Sequence, residues 1–152
     1  VELWARVLNV AIMTFYSKKK ISKIEFFTMF NVNLNMEKIW SYHQANKVLQ
    51  HFGLTYSDIL KTKERNNQLL TYKEKTNVFQ YYILTALFMY NFDKVMEWML
   101  HNNDNVLNFK KDERSVVVFI YFINEIYKSK KFIDTLENYR QDDNNKLRMG
   151  IF

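Results

Sequence analysis

The sequence predicts an all-α fold, a single-domain up-down bundle of about five helices. Its 152 residues are enough to bury a sizeable core, and 48% of them are apolar. The chain has no proline and only two glycines, whereas an all-β domain needs many tight turns built on those residues. We therefore expect one helical domain over residues 1–152, with residues 140–152 as a flexible tail.

The first predicted helices follow from the spacing of apolar residues. Leu3, Val7 and Val10 recur at intervals of three and four, with Leu8 and Phe15 near the same face, which is typical of a helix. The asparagine-rich stretch 31–35 disfavours a strand and predicts a connection. We expect helices over residues 1–16, 21–30 and 36–52, with breaks at 17–20 and 31–35.

Two local signals predict the next boundaries. Gly53 is expected to end the preceding helix as a left-handed cap, with Leu54 as the apolar contact that follows. Thr55 and Asp58 have the spacing of a capping box, with Asp in place of Glu. A helix is therefore expected from this box to about residue 70.

The second half predicts a buried central helix and two later ones. Thr76 or Asn77 can cap a helix that is apolar nearly all round through Tyr90. Residues 93–100 either continue it after a kink or begin a new helix, and residues 101–105 are expected as a loop. The segment 115–127 contains β-branched residues typical of a strand, but its apolar spacing favours a helix. The last predicted helix covers residues 131–139.

The excess positive charge lies in the first half of the chain. Residues 1–76 contain 12 Lys and Arg against 6 Asp and Glu, a net charge of +6, whereas residues 77–152 contain 10 of each kind. Of the basic residues, 17 are lysine and 5 are arginine. Lysine acts as a point charge and lacks the bidentate fork with which arginine reads base edges, so this composition favours a diffuse electrostatic surface.

Sequence patterns of enzymes and metal sites are missing. There is no cysteine, no glycine-rich phosphate loop and no G-x-S-x-G elbow. His43, His51 and His101 lack the spacing of a zinc or calcium motif, and the acidic pairs lie in polar stretches. We therefore expect no enzymatic activity, no catalytic residues, no metal and no cofactor.

Lysines and aromatic residues lie side by side in the stretch "FYSKKKISKIEFF". The chain has 13 Phe, 10 Tyr and 3 Trp, more than a small bundle can bury, and Phe26 and Phe27 lie on adjacent helix faces. Lysines attract anionic headgroups, and aromatic rings settle at the headgroup level of a membrane. A second basic stretch lies near residue 61. The predicted binding residues are Lys18, Lys19, Lys20, Lys23, Phe26, Phe27, Lys61, Lys63 and Arg65. The alternative at the lysine run is a solvated turn between helices.

Three stretches together resemble a known family. They are "LNVAIMTFYSKKKISKI" at residues 8–24, "IWSYHQANKVLQHF" at residues 39–52 and "LFMYNFDKVMEWML" at residues 87–100. In order and pattern they are similar to the abalone sperm lysin family, over roughly residues 3–100. These proteins are small, basic, cysteine-free, helical and acrosomal. Lysin itself opens the egg vitelline envelope without cleaving it, and a paralogous member is implicated in gamete membrane fusion.

The resemblance implies a secreted, non-enzymatic protein of the sperm acrosomal vesicle that acts in fertilization. Arginines are few and the second half is neutral, which makes the chain more similar to the fusion-associated paralogue than to lysin. The chain starts at Val1, and we expect a mature form from which any signal peptide has been removed. The expected partner is an anionic membrane surface or an egg-coat glycoprotein, with a homodimer left open.

A reading from a different class also stays open. The composition, rich in lysine, asparagine and aromatic residues, also suits an intracellular helical module that binds nucleic acid or the ribosome. Arginine and glycine are scarce and no RNA-binding signature is present, so nucleic acid is the less favoured partner. A steep dependence of RNA affinity on salt would support this reading.

Overall fold

The structure, a computed structural model, describes residues 2–60 and 79–138. Within these ranges every regular element is a helix, and the only β-type contact is an isolated bridge between Asn105 and Asn108. The all-α prediction is therefore confirmed. The described helices are α1 (Glu2–Tyr16), α2 (Lys23–His51), α3 (Tyr56–Leu60), a π-helix (Phe79–Leu84), α4 (Thr85–Tyr90), α5 (Phe92–Asn102), α6 (Glu113–Ile126) and α7 (Lys130–Asn138).

Helices α1 and α2 pack side by side as an antiparallel hairpin. Arg6 Nη1 contacts Glu37 Oε1 at 2.7 Å, and Asn33 Nδ2 donates to the buried Thr14 Oγ1 at 3.0 Å. Thr14 in turn donates to the carbonyl of Val10 at 2.7 Å. Arg6 precedes Thr14 in α1, whereas its partner Glu37 follows Asn33 in α2, so the two helices run in opposite directions. These polar contacts fix how far one helix is shifted along the other.

The predicted connection at residues 31–35 is wrong, because α2 continues through it as one helix of 29 residues. Asparagine has a low intrinsic helix propensity, which is a weak preference that tertiary contacts override. Here Asn33 donates to Thr14 in α1, and Leu34 is buried in the core. Residues 23–30 and 36–51 of the two predicted helices are therefore parts of α2, while the break at residues 17–20 is confirmed and extends to residue 22.

The predicted end of α2 is confirmed in detail. Gly53 has φ +66°, a backbone conformation that favours glycine, and its N–H donates to Gln50 O at 2.9 Å. The N–H of Leu54 donates to Leu49 O at 2.9 Å, and the Leu54 side chain packs against the core. This pair of bonds is the Schellman motif.

The predicted capping box of α3 is also present. Thr55 N donates to Asp58 Oδ2 at 2.9 Å, and Asp58 N donates back to Thr55 Oγ1 at 3.2 Å. The predicted extension of this helix to residue 70 and the predicted cap at Thr76 or Asn77 lie outside the described residues.

The later helices show which of the alternatives for residues 93–100 and 115–127 the chain adopts. Helix α4 is central, with Ala86, Leu87 and Met89 all buried. Helix α5 begins anew after Asn91, whose side-chain amide donates to Leu87 O at 3.0 Å. Residues 115–126 of the segment 115–127 are helical, as their spacing indicated, and Tyr127 is the C-cap. The predicted loop 101–105 begins two residues later than expected, because residues 101 and 102 belong to α5.

Buried side chains of α1 to α7 form a common hydrophobic cluster. At its centre the fully buried Phe132 ring lies 5.0 Å from the Tyr56 ring and 5.2 Å from the Tyr90 ring, measured between centroids. The Tyr56 hydroxyl donates to the carbonyl of Tyr127 at 3.0 Å, which ties α3 to the turn between α6 and α7. Burial raises the pKa of Tyr56 above its usual value, so this phenol stays protonated and keeps donating at neutral pH. Of the helices described, none has the length and apolar character required to cross a membrane.

Replacing Tyr56 by Phe should lower the free energy of unfolding by about 1 kcal/mol, the net contribution of one hydrogen bond between neutral groups. The ring contact with Phe132 survives, so the change isolates the hydroxyl. Denaturant unfolding measures it. Tyr121→Phe is the matched control, because the Tyr121 side chain is largely exposed and should change stability by less than about 0.5 kcal/mol. Equal effects of both substitutions would contradict the proposed role of the hydroxyl.

Candidate functional site

The lysine run forms the turn at one end of the α1–α2 hairpin. Helix α1 ends at Tyr16, where the Ser17 hydroxyl donates to Thr14 O at 2.7 Å. Ser22 caps the next helix: Glu25 N donates to Ser22 Oγ at 3.2 Å, and Ser22 N donates to Glu25 Oε2 at 3.0 Å. This reciprocal pair is a capping box that sequence reasoning missed, although the S-x-x-E spacing is visible in the sequence.

Glu25 also holds the first lysine of the turn. Lys18 Nζ contacts Glu25 Oε1 at 3.0 Å, with both side chains about half exposed. The hydrogen bond from the Ser22 backbone, the bond from Lys18 and the bond from the Ser22 hydroxyl lower the pKa of Glu25 to about 2. The carboxylate is thus charged at all physiological pH values, and one of the four lysine charges is compensated within the turn.

The other three lysines, two in the turn and one at the start of α2, keep their charge unpaired. Across residues 2–60 and 79–138, Lys19, Lys20 and Lys23 form no ion pair, and all three side chains are exposed. They lie within five positions of one another in the chain. The turn therefore presents a local net positive charge to solvent.

Exposed apolar side chains flank these lysines on both helices. On α1 the exposed fraction is 58% for Phe15 and 78% for Tyr16, and on α2 it is 81% for Ile24 and 50% for Phe27. Large apolar groups at such exposure mark a site of interaction more often when they are grouped than when they are scattered. We define the hairpin tip by its exposed lysines and apolar residues: Phe15, Tyr16, Lys18, Lys19, Lys20, Lys23, Ile24 and Phe27.

The two predicted phenylalanines have different environments. Phe27 is half-exposed at the hairpin tip, whereas Phe26 is partly buried, stacked on Phe30 with ring centroids 5.9 Å apart and planes 14° apart. The Phe26 ring also meets Phe27 edge to face at 5.6 Å. Phe26 therefore supports the orientation of Phe27 and is not itself presented fully to solvent.

Other exposed apolar residues were missed because periodicity placed them in the core. The apolar spacing of α1 put Leu8 and Phe15 near the buried face, but both are exposed. On a helix these two residues share a stripe with Ile12 that lies away from the buried Val7 and Val10. The signal for this was the number of apolar residues in α1, which is larger than one face can bury. A second exposed stripe on α2 contains Val32, Met36 and Ile39.

The remaining predicted site residues, Lys61, Lys63 and Arg65, lie outside the described residues. The histidines do not converge: the His43 ring stacks on Trp40 at 5.1 Å, and His101 Nδ1 bonds with Glu97 O at 2.8 Å. Among residues 2–60 and 79–138 no group of three or more His, Asp or Glu side chains is placed to hold a metal ion.

Comparisons of the chain with protein-family models, with curated proteins and with solved structures found no match. The resemblance to the abalone sperm lysin family therefore stays a prediction from local sequence patterns.

Glu25 should titrate with a midpoint near pH 2 in the folded protein, measured by carbon NMR of its carboxyl group. Because this folded pKa is below the usual value of 4.5, the stability that Glu25 contributes is complete above about pH 4.5 and is lost as the pH falls toward 2. Lys18→Met should raise the midpoint, since it removes the ion pair. Lys19→Met, the matched control, should leave it unchanged. A wild-type midpoint near 4.5 would show that the turn is not held by Glu25.

Proposed function

We propose that the protein is a non-enzymatic, secreted sperm acrosomal protein that acts in fertilization by binding and perturbing or fusing gamete membranes. The observation that carries this proposal is the hairpin tip. Three unpaired lysines lie there among four exposed apolar side chains, at the free end of two packed helices. Cationic groups beside exposed aromatic rings suit the interface of an anionic membrane.

The expected strength of this binding follows from the residues involved. Three lysines near an anionic surface contribute about 3 kcal/mol in total. Burying the exposed parts of Phe15, Ile24 and Phe27 contributes about 4 kcal/mol more. The sum is of the same order as the binding of one myristoyl chain, which is reversible with an association constant of about 10⁴ M⁻¹. The hairpin tip alone therefore supports weak, salt-sensitive attachment, to which Lys61, Lys63 and Arg65 are proposed to add.

The finer architecture belongs to the same proposal. We propose that the chain forms a single up-down bundle of about five helices. Five of the described α-helices are nine residues or longer, and the first two form an antiparallel pair. In such a bundle the α1–α2 turn would lie at one end. Membrane contact through the hairpin tip requires that position.

The second candidate function is lysin-like binding and dissolution of the egg vitelline envelope. The outer face of α6 favours it, because Val117, Ile120 and Tyr121 form an exposed apolar face on a helix other than the two that carry the lysines of the hairpin tip. An apolar face without a local excess of lysine suits a protein or glycoprotein surface better than an anionic membrane. Dissolution of isolated egg envelopes at concentrations that leave vesicles intact would favour this candidate over membrane action.

Vesicle binding tests the first proposal. The protein should sediment with vesicles rich in phosphatidylserine and make them leak, and it should do neither with purely zwitterionic vesicles. Replacing Lys19, Lys20 and Lys23 together by Gln should weaken binding about 100-fold, since about 3 kcal/mol of attraction is removed. Raising the salt concentration should also weaken the binding of the wild-type protein to anionic vesicles.

The matched control replaces Lys94, Lys130 and Lys131 by Gln. These exposed lysines lie in α5 and α7, and their substitution changes the net charge by the same amount. It should alter vesicle binding by less than about threefold, as expected for charges that lie far from the contact. Equal loss in both triple variants would show that only overall charge matters. No binding of the wild type to anionic vesicles would rule out membrane action.

A further inference from the structure

A mostly apolar cavity of about 360 Å³ lies between α1, α4, α5 and α6. Trp4 lines it from the first turn of α1, and buried Leu3, Val95 and Met99 form part of its wall. Trp4 precedes Phe15 by eleven positions, which is about 16 Å along an α-helix. The cavity therefore lies toward the opposite end of α1 from the hairpin tip and is a separate site.

Aromatic contacts hold one wall of the cavity in place. The Phe119 ring lies 5.8 Å from Phe88 and 5.0 Å from Phe109, and these three rings line the space. Behind them the Trp98 ring packs on Phe119 at 4.9 Å. Leu84, the last residue of the π-helix, is also in the wall, and π-helical turns occur frequently at functional sites. These ring contacts fix the shape of the wall.

The size of the cavity limits what it can hold. An apolar cavity of about 150 Å³ takes up benzene, and pockets for small organic ligands start at about 300 Å³. A volume of about 360 Å³ therefore suits one hydrocarbon chain of medium length and is too small for the two chains of a phospholipid. Water would find few partners inside, because Thr85 is the one uncharged polar residue beside apolar and aromatic lining.

The charges at the cavity select the polar end of the ligand. Glu2 and Lys111 are the charged lining residues. Glu2 is partly compensated by Arg6, whose Nε lies 3.3 Å from Glu2 Oε1 and whose Nη1 also pairs with Glu37 at 2.7 Å. Lys111 forms no ion pair within the described ranges and is exposed, so one free cation lies beside an apolar space. Its neighbour Lys110 differs, because it pairs with Asp104 at 2.9 Å and does not line the cavity.

We propose that this cavity binds a single medium-chain fatty acid, with the carboxylate at Lys111 and the hydrocarbon chain between Trp4, Phe88, Met99 and Phe119. The binding energy comes from removing the chain from water, and the ion pair with Lys111 sets the orientation. This ligand site goes beyond membrane action at the hairpin tip and does not rest on it.

Tryptophan fluorescence gives a direct test, because Trp4 lines the cavity. The probe is ω-bromodecanoic acid, whose bromine quenches a tryptophan that it touches, used below its micelle concentration. Quenching of the wild type should saturate at one molecule per chain. Trp4→Phe should lose most of the quenching while the stoichiometry from calorimetry stays at one, because Trp40 lies in α2 and Trp98 lies behind the ring wall. Unsaturable quenching, or full quenching without Trp4, would overturn the proposal.

Paired lysine variants test the orientation. Lys111→Met should weaken the binding of decanoic acid about tenfold, the factor expected for one charge-assisted hydrogen bond. Lys110→Met, which removes the same charge one position away, should leave it within about twofold. Decanol should bind the wild type and Lys111→Met equally. Equal loss in both lysine variants, or binding of decyltrimethylammonium as tight as that of decanoic acid, would contradict the role of Lys111.

A cavity-filling variant tests the location, and a second head group tests the ligand class. Val116 lines the cavity and is partly exposed, so Val116→Phe should fold, which circular dichroism can verify. The larger side chain should weaken the binding of decanoic acid at least tenfold. Undiminished binding to that folded variant would place the site elsewhere. Decyl phosphate distinguishes a lipid phosphate from a carboxylate, and tighter binding of the phosphate would overturn the assignment to a fatty acid.

Discussion

The rest of the structure depends on the polar contacts that lock α1 against α2. Arg6 bonds Glu37 at 2.7 Å, and Asn33 bonds the buried Thr14 at 3.0 Å, so one charged and one neutral contact set the register of the two helices. Hydrophobic packing alone is non-directional and would tolerate sliding, whereas an unpaired Thr14 or Asn33 would cost the desolvation of a polar group. This lock determines where the turn between the helices lies and which side chains it presents.

The two ends of α1 carry different chemistry as a consequence. At the end near the turn, Lys19, Lys20 and Lys23 stay unpaired because Glu25 is engaged by Ser22 and Lys18. Toward the other end, Trp4 lines an apolar cavity beside Lys111. Both features place a cation beside apolar surface, one on a convex turn and the other at a concave pocket. The proposed partners, an anionic membrane and a fatty acid, share that chemistry and differ in shape.

The helix boundaries could be predicted from the sequence wherever neighbouring residues determine the backbone conformation. Gly53 correctly predicted the end of α2, because the chain there needs a positive φ. Thr55 and Asp58 correctly predicted the start of α3. The break predicted at residues 31–35 failed because Asn33 is stabilised by Thr14, a residue 19 positions away. The site was only partly predictable. The spacing of Phe15 is that of a core residue, and only the packed structure shows that no other helix covers its face.

The central claim is that the hairpin tip is the surface that meets the membrane, and a spin label tests it most directly. The chain has no cysteine, so Thr28→Cys on α2 next to the tip and Asn124→Cys on α6 each give one labelling site, both exposed. On anionic vesicles the label at position 28 should gain collisions with oxygen and lose collisions with a water-soluble nickel complex, while the label at position 124 stays aqueous. Labels at both positions that remain aqueous on bound protein, or that change equally, would contradict the claim.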